Sequence, residues 1–117
     1  MNLEAVREYC LKKKGVTEDF PFDEETLVLK VMSRMFLLTN LNPPYTMNVK
    51  CDPRLAVELR ERYEEVTPGY HMNKTHWNTV DLEGTIPTKE IFEMIDNSYD
   101  LVVNGLKKKE KDELAKL

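Results

Sequence analysis

The two histidines and one of the two cysteines are the residues of this chain best suited by type to carry chemistry. His71 and His76 stand five residues apart, and Cys51 closes a stretch of alternating polar and apolar residues. A zinc-binding pair on a helix needs a spacing of four, and the histidine segment has no helical pattern. If folding brings Cys51 to the histidines, the result is a Cys–His pair for nucleophilic catalysis or metal binding. The commoner alternative, which we favour, is a buried structural cysteine beside hydrogen-bonded histidines.

Other signatures of catalysis are missing from the sequence. Its four glycines show no phosphate-loop spacing, and it has no Cys-x-x-Cys motif. The carboxylates at Asp23-Glu24-Glu25 and Glu64-Glu65 are predicted to be solvated, whereas working acid–base pairs usually need burial to shift their pKa values. Weak binding of a divalent cation through these oxygens is the alternative. We therefore expect a protein that is not an enzyme, with no cofactor and no metal site.

The charges are unevenly distributed along the chain. The net charge is −4, although dedicated nucleic-acid binders are usually basic. Between residues 26 and 54, however, four basic residues stand against the single acid Asp52: Lys30, Arg34, Lys50 and Arg54. Lys74 is the one formal charge between residues 66 and 80. This pattern predicts a dipolar protein with a basic strand region, the alternative being an ordinary solvated surface.

The elements that would position these residues can be read from hydrophobic periodicity. Strands are predicted at 26–32, 35–39, 45–51, 75–82 and 85–86, with a tight hairpin turn at Ser33-Arg34. Phe20-Pro21-Phe22 is predicted to be extended, with both aromatic rings pinned to the core. Helices are predicted at 3–13 with Asn2 as N-cap, from Asp52-Pro53 to about 65, and from Pro87-Thr88, with a new helix beginning near 96. The charged tail at 107–111 is expected to fray.

Together these elements predict one domain spanning residues 1–117, an α+β two-layer sandwich. Strands joined by short connections form an antiparallel sheet, and the N-terminal, middle and C-terminal helices cover one of its faces. The other face is expected to be partly open to solvent. The sequence has no apolar stretch long enough to span a membrane and no secretory signal, so we expect a cytoplasmic monomer with free thiols.

The segment from Pro68 to Val80 is the most informative, because it combines a turn with two histidines, a lysine and two large aromatic residues. Its Pro-Gly-Tyr-His-Met sequence, followed by Lys-x-His-Trp, resembles the hallmark of the MmcQ/YjbR family. Further matches follow in the expected order over nearly all of the chain: Phe20-Pro21-Phe22, Val28-Leu29-Lys30-Val31 with Met35-Phe36, Lys50-Cys51-Asp52-Pro53 and Ser98-Tyr99-Asp100-Leu101-Val102. Two departures are Ser33-Arg34, where the family usually carries Gly-Lys, and Asp23, where a glycine is common.

The resemblance implies a frataxin-like (CyaY-like) α+β fold and DNA binding through a double wing of β-hairpins. The wing candidates are the tip at Ser33-Arg34 and the segment from His71 to Trp77. Basic side chains would neutralise phosphates, and aromatic ones would stack on or hydrogen-bond to bases. The candidate DNA-binding residues are Lys30, Arg34, Lys50, Arg54, Tyr70, His71, Lys74, His76 and Trp77. A core position is the commoner alternative for Trp77.

Three functional hypotheses follow. The first is a small DNA-binding or DNA-associated accessory protein that uses a basic, hairpin-rich sheet surface. The second is a protein-interaction module of the chaperone-like kind, whose partner is a protein; the acidic net charge favours it. The third is an enzyme or metal protein built on Cys51, His71 and His76.

Overall fold

The computed structural model describes residues 1–70 and 72–117, and these form a six-stranded antiparallel sheet with four helices. The strand order is β1-β2-β3-β4-β6-β5. The elements follow the chain as α1 (Leu3–Leu11), β1 (Val16–Asp19), β2 (Thr26–Val31), β3 (Arg34–Asn40), β4 (Thr46–Lys50), α2 (Pro53–Arg62), β5 (Val66–Pro68), β6 (Trp77–Asp81), α3 (Thr88–Asn104) and α4 (Lys108–Ala115). The predicted α+β two-layer sandwich is confirmed.

The helices begin where their capping residues predict. Asn2 Oδ1 accepts a hydrogen bond from the Ala5 N–H at 2.8 Å at the start of α1. Asp52 caps α2 in the same way, by accepting from the N–H groups of Arg54 and Leu55. Such caps satisfy backbone donors that the first helical turn leaves without partners.

One face of the sheet packs against the helices and the other does not. Side chains alternate between the faces, so Met47 and Val49 of β4 and Val80 of β6 enter the core with Val6 of α1 and Ile95 of α3. The opposite face, which we call the open face, carries a central row of Val28, Leu38, Asn48 and Thr79, one from each of β2, β3, β4 and β6.

A bulge in β3 is stabilised by a buried hydroxyl from α3. The β2–β3 register shifts after Leu29, so Phe36 has no residue opposite it. Ser98, which is fully buried, donates to the Phe36 carbonyl at 2.5 Å and accepts from the Lys50 N–H at 2.8 Å. The helix therefore supplies the hydrogen bonds that β3 and β4 do not make to each other at this point.

The hairpin turn lies one residue earlier than predicted. Val31 pairs with Arg34, so the two-residue turn is Met32-Ser33 and Arg34 belongs to β3. Both turn residues are left-handed, with φ of 48° and 68°. This is the backbone that a two-residue hairpin favours, and glycine adopts it most easily. Ser33, which stands where the resemblance implies a glycine, adopts this left-handed conformation in its place.

Several other predictions for the sheet were wrong. Residues 85–86 do not form a strand, and two short outer strands, β1 and β5, were missed. Phe20 and Phe22 are exposed rather than pinned to the core, with 45% and 64% of their surfaces accessible. The loop that carries them is held instead by Asp23, whose carboxylate accepts hydrogen bonds from the backbone N–H groups of Glu25 and Thr26.

The C-terminal region is more ordered than its composition predicts. Residues 88–104 form one continuous helix, with no new start near 96. The charged tail forms α4 and buries Leu114. Among the described residues, no helix has the length and apolar character needed to cross a membrane.

Candidate nucleic-acid interface

Lys50 and Trp77 lie side by side at one end of the open face. They are the last residue of β4 and the first of β6, and their Cα atoms are paired across the two strands. Because side chains alternate along a strand, both project from the face that carries Asn48 and Thr79. Trp77 is half-buried and lies outside the core cluster, so it does not take the core position that is commoner for a tryptophan.

Arg60 of α2 fixes the loop that leads into β6. Its Nε donates to the buried Asn78 Oδ1 at 2.7 Å, and its Nη2 donates to the carbonyls of Lys74 and Trp77. The side chain thus joins a helix on the covered face to the loop that presents Lys74. This role was not predicted from the sequence, although Arg60 follows the core residue Ala56 by one helical turn, and that spacing places it toward the sheet.

Gly69 is required where β5 turns away from β6. A Cβ at this position would lie 2.8 Å from Trp77 Cβ and 2.9 Å from the Trp77 carbonyl oxygen, closer than such atoms can approach. The Gly69 N–H also donates to that carbonyl at 2.8 Å. The glycine of the Pro-Gly-Tyr-His-Met motif therefore has a packing role. Its close approach to Trp77 brings the next residue, Tyr70, beside β6.

The candidate cations divide into two groups. Lys30 pairs with Asp19 at 3.3 Å, and Arg34 pairs with Glu110 at 3.4 Å. Within residues 1–70 and 72–117, Lys50, Arg54 and Lys74 form no ion pair. Within the predicted basic strand region, the two cations of the β2–β3 hairpin are therefore offset by carboxylates.

The backbone segments that carry the three cations without ion pairs meet at the end of β4. The Cys51 N–H donates to the His76 carbonyl at 2.7 Å, which joins the end of β4 to the loop carrying Lys74. Arg54 follows in the first turn of α2 and is exposed. The carboxylate of Asp52, which stands between Lys50 and Arg54 in the sequence, is engaged in capping α2, and Glu58 follows Arg54 by one helical turn.

The aromatic and imidazole candidates differ in their surroundings. Tyr70 is 68% exposed, and its backbone N–H donates to Thr79 Oγ1 at 2.9 Å. His76 is exposed, and its N–H is held by the Asn73 side chain. His71 lies outside the described residues.

The side chains of Cys51 and His76, one possible Cys–His pair in the sequence, are separated in the structure. Cys51 is buried in the core cluster, whereas His76 is exposed, and their hydrogen bond joins backbone atoms only. Burial raises the pKa of Cys51 to about 11, assisted by the neighbouring Asp52 carboxylate. The thiol is therefore protonated at neutral pH and poorly suited to act as a nucleophile. No cluster of three or more metal-ligating side chains forms in the part of the chain that the structure describes.

Comparison with known proteins places this architecture in a family. A family model described as YjbR matches residues 11–101. Uncharacterized protein YjbR of Escherichia coli K12 is 32% identical over the full length of both chains. Uncharacterized protein YyaQ of Bacillus subtilis is 28% identical, covering 84% of this chain and 95% of its own.

Solved structures give the same result. The crystal structure of Deinococcus radiodurans protein DR2400, with a domain called DUF419, superposes with a TM-score of 0.91 at 40% identity, covering 97% of this chain and 88% of its own. A Pseudomonas syringae protein superposes with a TM-score of 0.75 at 28% identity, covering 86% of this chain and 98% of its own. The family match spans the hairpin, the Lys50–Trp77 pair and Ser98, and the chain therefore belongs to the YjbR family.

Proposed function

We propose that this protein is a non-catalytic, DNA-associated accessory protein that contacts the phosphate backbone at the Lys50–Trp77 end of the open face. The observation that carries the proposal is the pairing of Lys50 with Trp77 at the point where the segments carrying Arg54 and Lys74 meet the end of β4. None of these three cations forms an ion pair among the described residues, although Lys74 Nζ donates to the Gly69 carbonyl at 3.4 Å. Cations bind phosphates, and an adjacent indole ring offers a surface for base stacking. The protonated state of Cys51 is consistent with a binding role rather than nucleophilic catalysis.

The proposal predicts a modest affinity with a measurable salt dependence. Three phosphate contacts at about −0.9 each give a slope of log K against log salt of about −2.7 on duplex DNA. The net charge of −4 opposes binding at long range, so we expect non-specific affinities near the weak end of the range, about 10⁻⁴ M.

A salt titration with charge variants tests the proposal. Fluorescence anisotropy of a labelled duplex is measured over a series of salt concentrations for the wild type and for Lys50→Ala, Arg54→Ala and Lys74→Ala. Each substitution should reduce the steepness of the slope by about 0.9. Lys12→Ala is the matched control, since Lys12 is an exposed cation at the end of α1 on the helical layer. No binding at low salt with roughly millimolar protein, or equal losses in the control, would refute the proposal.

A second candidate is a protein-interaction module at the β1 edge of the sheet. β1 is the first strand in the sheet order, so one of its sides has no neighbouring strand, and an extended peptide could pair with it. The acidic net charge favours a protein partner over DNA. Affinity capture from lysate with and without nuclease distinguishes the two candidates, because a partner bound through DNA is lost after nuclease treatment.

A further inference from the structure

A cleft of about 710 Å³ lies on the open face, beside the Lys50–Trp77 pair. Its rim is formed by Phe22, Pro44, Tyr70 and Met72, which come from three separate loops. Phe22 and Tyr70 are the two most exposed large apolar side chains within the described residues, apart from the terminal Leu117. Loops that bring such residues together over a sheet form a site of the size that binds small ligands, about 300–1,000 Å³.

The floor of the cleft carries an oriented hydrogen-bonding group. The Tyr70 N–H donates to Thr79 Oγ1, and the Thr79 hydroxyl donates in turn to Asn48 Oδ1 at 2.5 Å. These two bonds fix the Asn48 amide so that its Nδ2 is directed away from Thr79. In the part of the chain that the structure describes, Nδ2 makes no hydrogen bond, and it is therefore available to a ligand.

The lining indicates which chemistry the cleft accepts. It consists of apolar and aromatic side chains with threonine and asparagine, and none of its described residues carries a formal charge. A charged group in the cleft would lose hydration without gaining a counter-charge. An uncharged planar ring can contact the aromatic rim and accept a hydrogen bond from Asn48, since amide side chains are common partners of base edges.

Lys50 lies where a phosphate attached to such a ring could reach it. Lys50 is two residues beyond Asn48 on β4, and Trp77 is two residues before Thr79 on β6, on the same face. Two residues along a strand correspond to about 7 Å. The uncharged cleft and the Lys50–Trp77 pair are therefore adjacent parts of one surface.

We propose that the cleft binds an uncharged heteroaromatic ring of the nucleobase type, supplied either by a free nucleoside or by an unpaired base of a nucleic-acid strand. A nucleic-acid strand as the source of the ring rests on the proposed function, because the phosphates of the strand would contact Lys50. The free nucleoside does not depend on that proposal. A ring held in this way must be outside a duplex, which would make single strands preferred over duplexes.

The test is titration of the isotopically labelled protein with adenosine, guanosine, cytidine and thymidine, followed by amide chemical shifts. Shifts concentrated at Asn48, Tyr70 and Thr79 are expected. Phe22→Ala and Asn48→Ala should weaken binding by about 5- to 150-fold, the usual range for loss of one base contact. Asn104→Ala, at the exposed end of α3, is the matched control. Phe22 is exposed, so its substitution tests the cleft even if the Asn48 variant folds poorly.

Labelled single-stranded and duplex DNA form the second arm of the experiment. Loss of single-strand binding in Phe22→Ala, with duplex binding unchanged, supports an unpaired base as the source. Binding of free nucleosides alone supports the nucleoside as the source. The inference is overturned if neither nucleosides nor single strands shift the cleft residues at roughly millimolar ligand, or if toluene binds as well as the nucleosides. Duplex binding that remains salt-dependent in that case leaves the proposed function intact.

Discussion

Replacing Ser98 by alanine should destabilise the fold strongly for so small a change. The hydroxyl makes two hydrogen bonds, to the Phe36 carbonyl and from the Lys50 N–H, and the residue is 0% exposed. Alanine fits the space but leaves both backbone groups without this partner. An unsatisfied buried group such as the Phe36 carbonyl costs about 1–3 kcal/mol. The Lys50 N–H is only partly buried and should add about 1 kcal/mol, so the two together should cost about 2–4 kcal/mol. That is a large part of the 5–15 kcal/mol typical of a whole domain.

The control for Ser98→Ala is Thr39→Val. Thr39 is also buried in the sheet, but its hydroxyl makes one hydrogen bond, to the Thr46 carbonyl at 2.7 Å. Valine preserves the side-chain shape, so this substitution should cost only about 1 kcal/mol. The contrast between the two variants isolates the effect of the second unsatisfied group.

Urea unfolding followed by circular dichroism measures both costs. With a slope near 2 kcal/mol/M, Ser98→Ala should lower the midpoint by about 1–2 M and Thr39→Val by about 0.5 M. Hydrogen exchange should quicken selectively at the Lys50 amide in Ser98→Ala. A loss below about 1 kcal/mol, or one equal to that of Thr39→Val, would refute the argument that the hydroxyl supports the bulge.

Three further outcomes are expected. Ser33→Gly should stabilise the hairpin by about 0.5–1 kcal/mol in urea unfolding, because φ is 68° and only glycine avoids the left-handed penalty; Ser33→Ala, which keeps its Cβ, should not. Gly69→Ala should destabilise by more than about 1 kcal/mol and change the Trp77 fluorescence, since its Cβ would meet Trp77; unchanged fluorescence would contradict this. Acid should lower the melting temperature. Hydrogen bonds from backbone N–H groups, foremost that of Glu25, lower the pKa of the Asp23 carboxyl below 3.8. The stability contributed by ionised Asp23 is therefore fully present above pH 3.8 and is lost as the pH falls through the lowered pKa. Asp23→Asn should show a weaker acid dependence.

Sequence signals from neighbouring residues correctly predicted the starts of α1 and α2 and the β2–β3 hairpin, which depend on local interactions. Asn2 and Asp52 act as N-caps, as their residue types indicate, and the β2–β3 hairpin forms where apolar residues flank a short connection. Short outer strands were missed because their pairing is not local. β1 has a polar sequence, and its Glu18 is held by Arg7 from α1 at 2.6 Å.

Long-range contacts also explain why the predicted helix start near residue 96 was wrong. Asp96-Asn97-Ser98 resembles a capping sequence, yet Asp96 accepts hydrogen bonds from Tyr9 and Lys13, and Ser98 serves the sheet. These polar residues therefore support tertiary contacts within one continuous helix. The same reasoning applies to Arg60, whose role depends on a loop that follows it by more than ten residues.

The candidate site was predicted in its residue types more than in its geometry. Lys50 and Trp77 were both candidates, but their pairing follows from the strand order, which places β4 beside β6. The neutralisation of Lys30 and Arg34 arises from Asp19 on a missed strand and from Glu110 on a helix expected to be frayed. Counting charges along the sequence could therefore not reveal which cations are offset by acids.

The short outer strand β5 bears on how the molecule associates with others. It is only three residues long and ends at Pro68, which has no N–H to donate to a further strand. At this border of the molecule, copies of the chain cannot readily line up strand against strand into a growing filament. Contacts made along this border are therefore expected to rely more on side chains than on backbone hydrogen bonds.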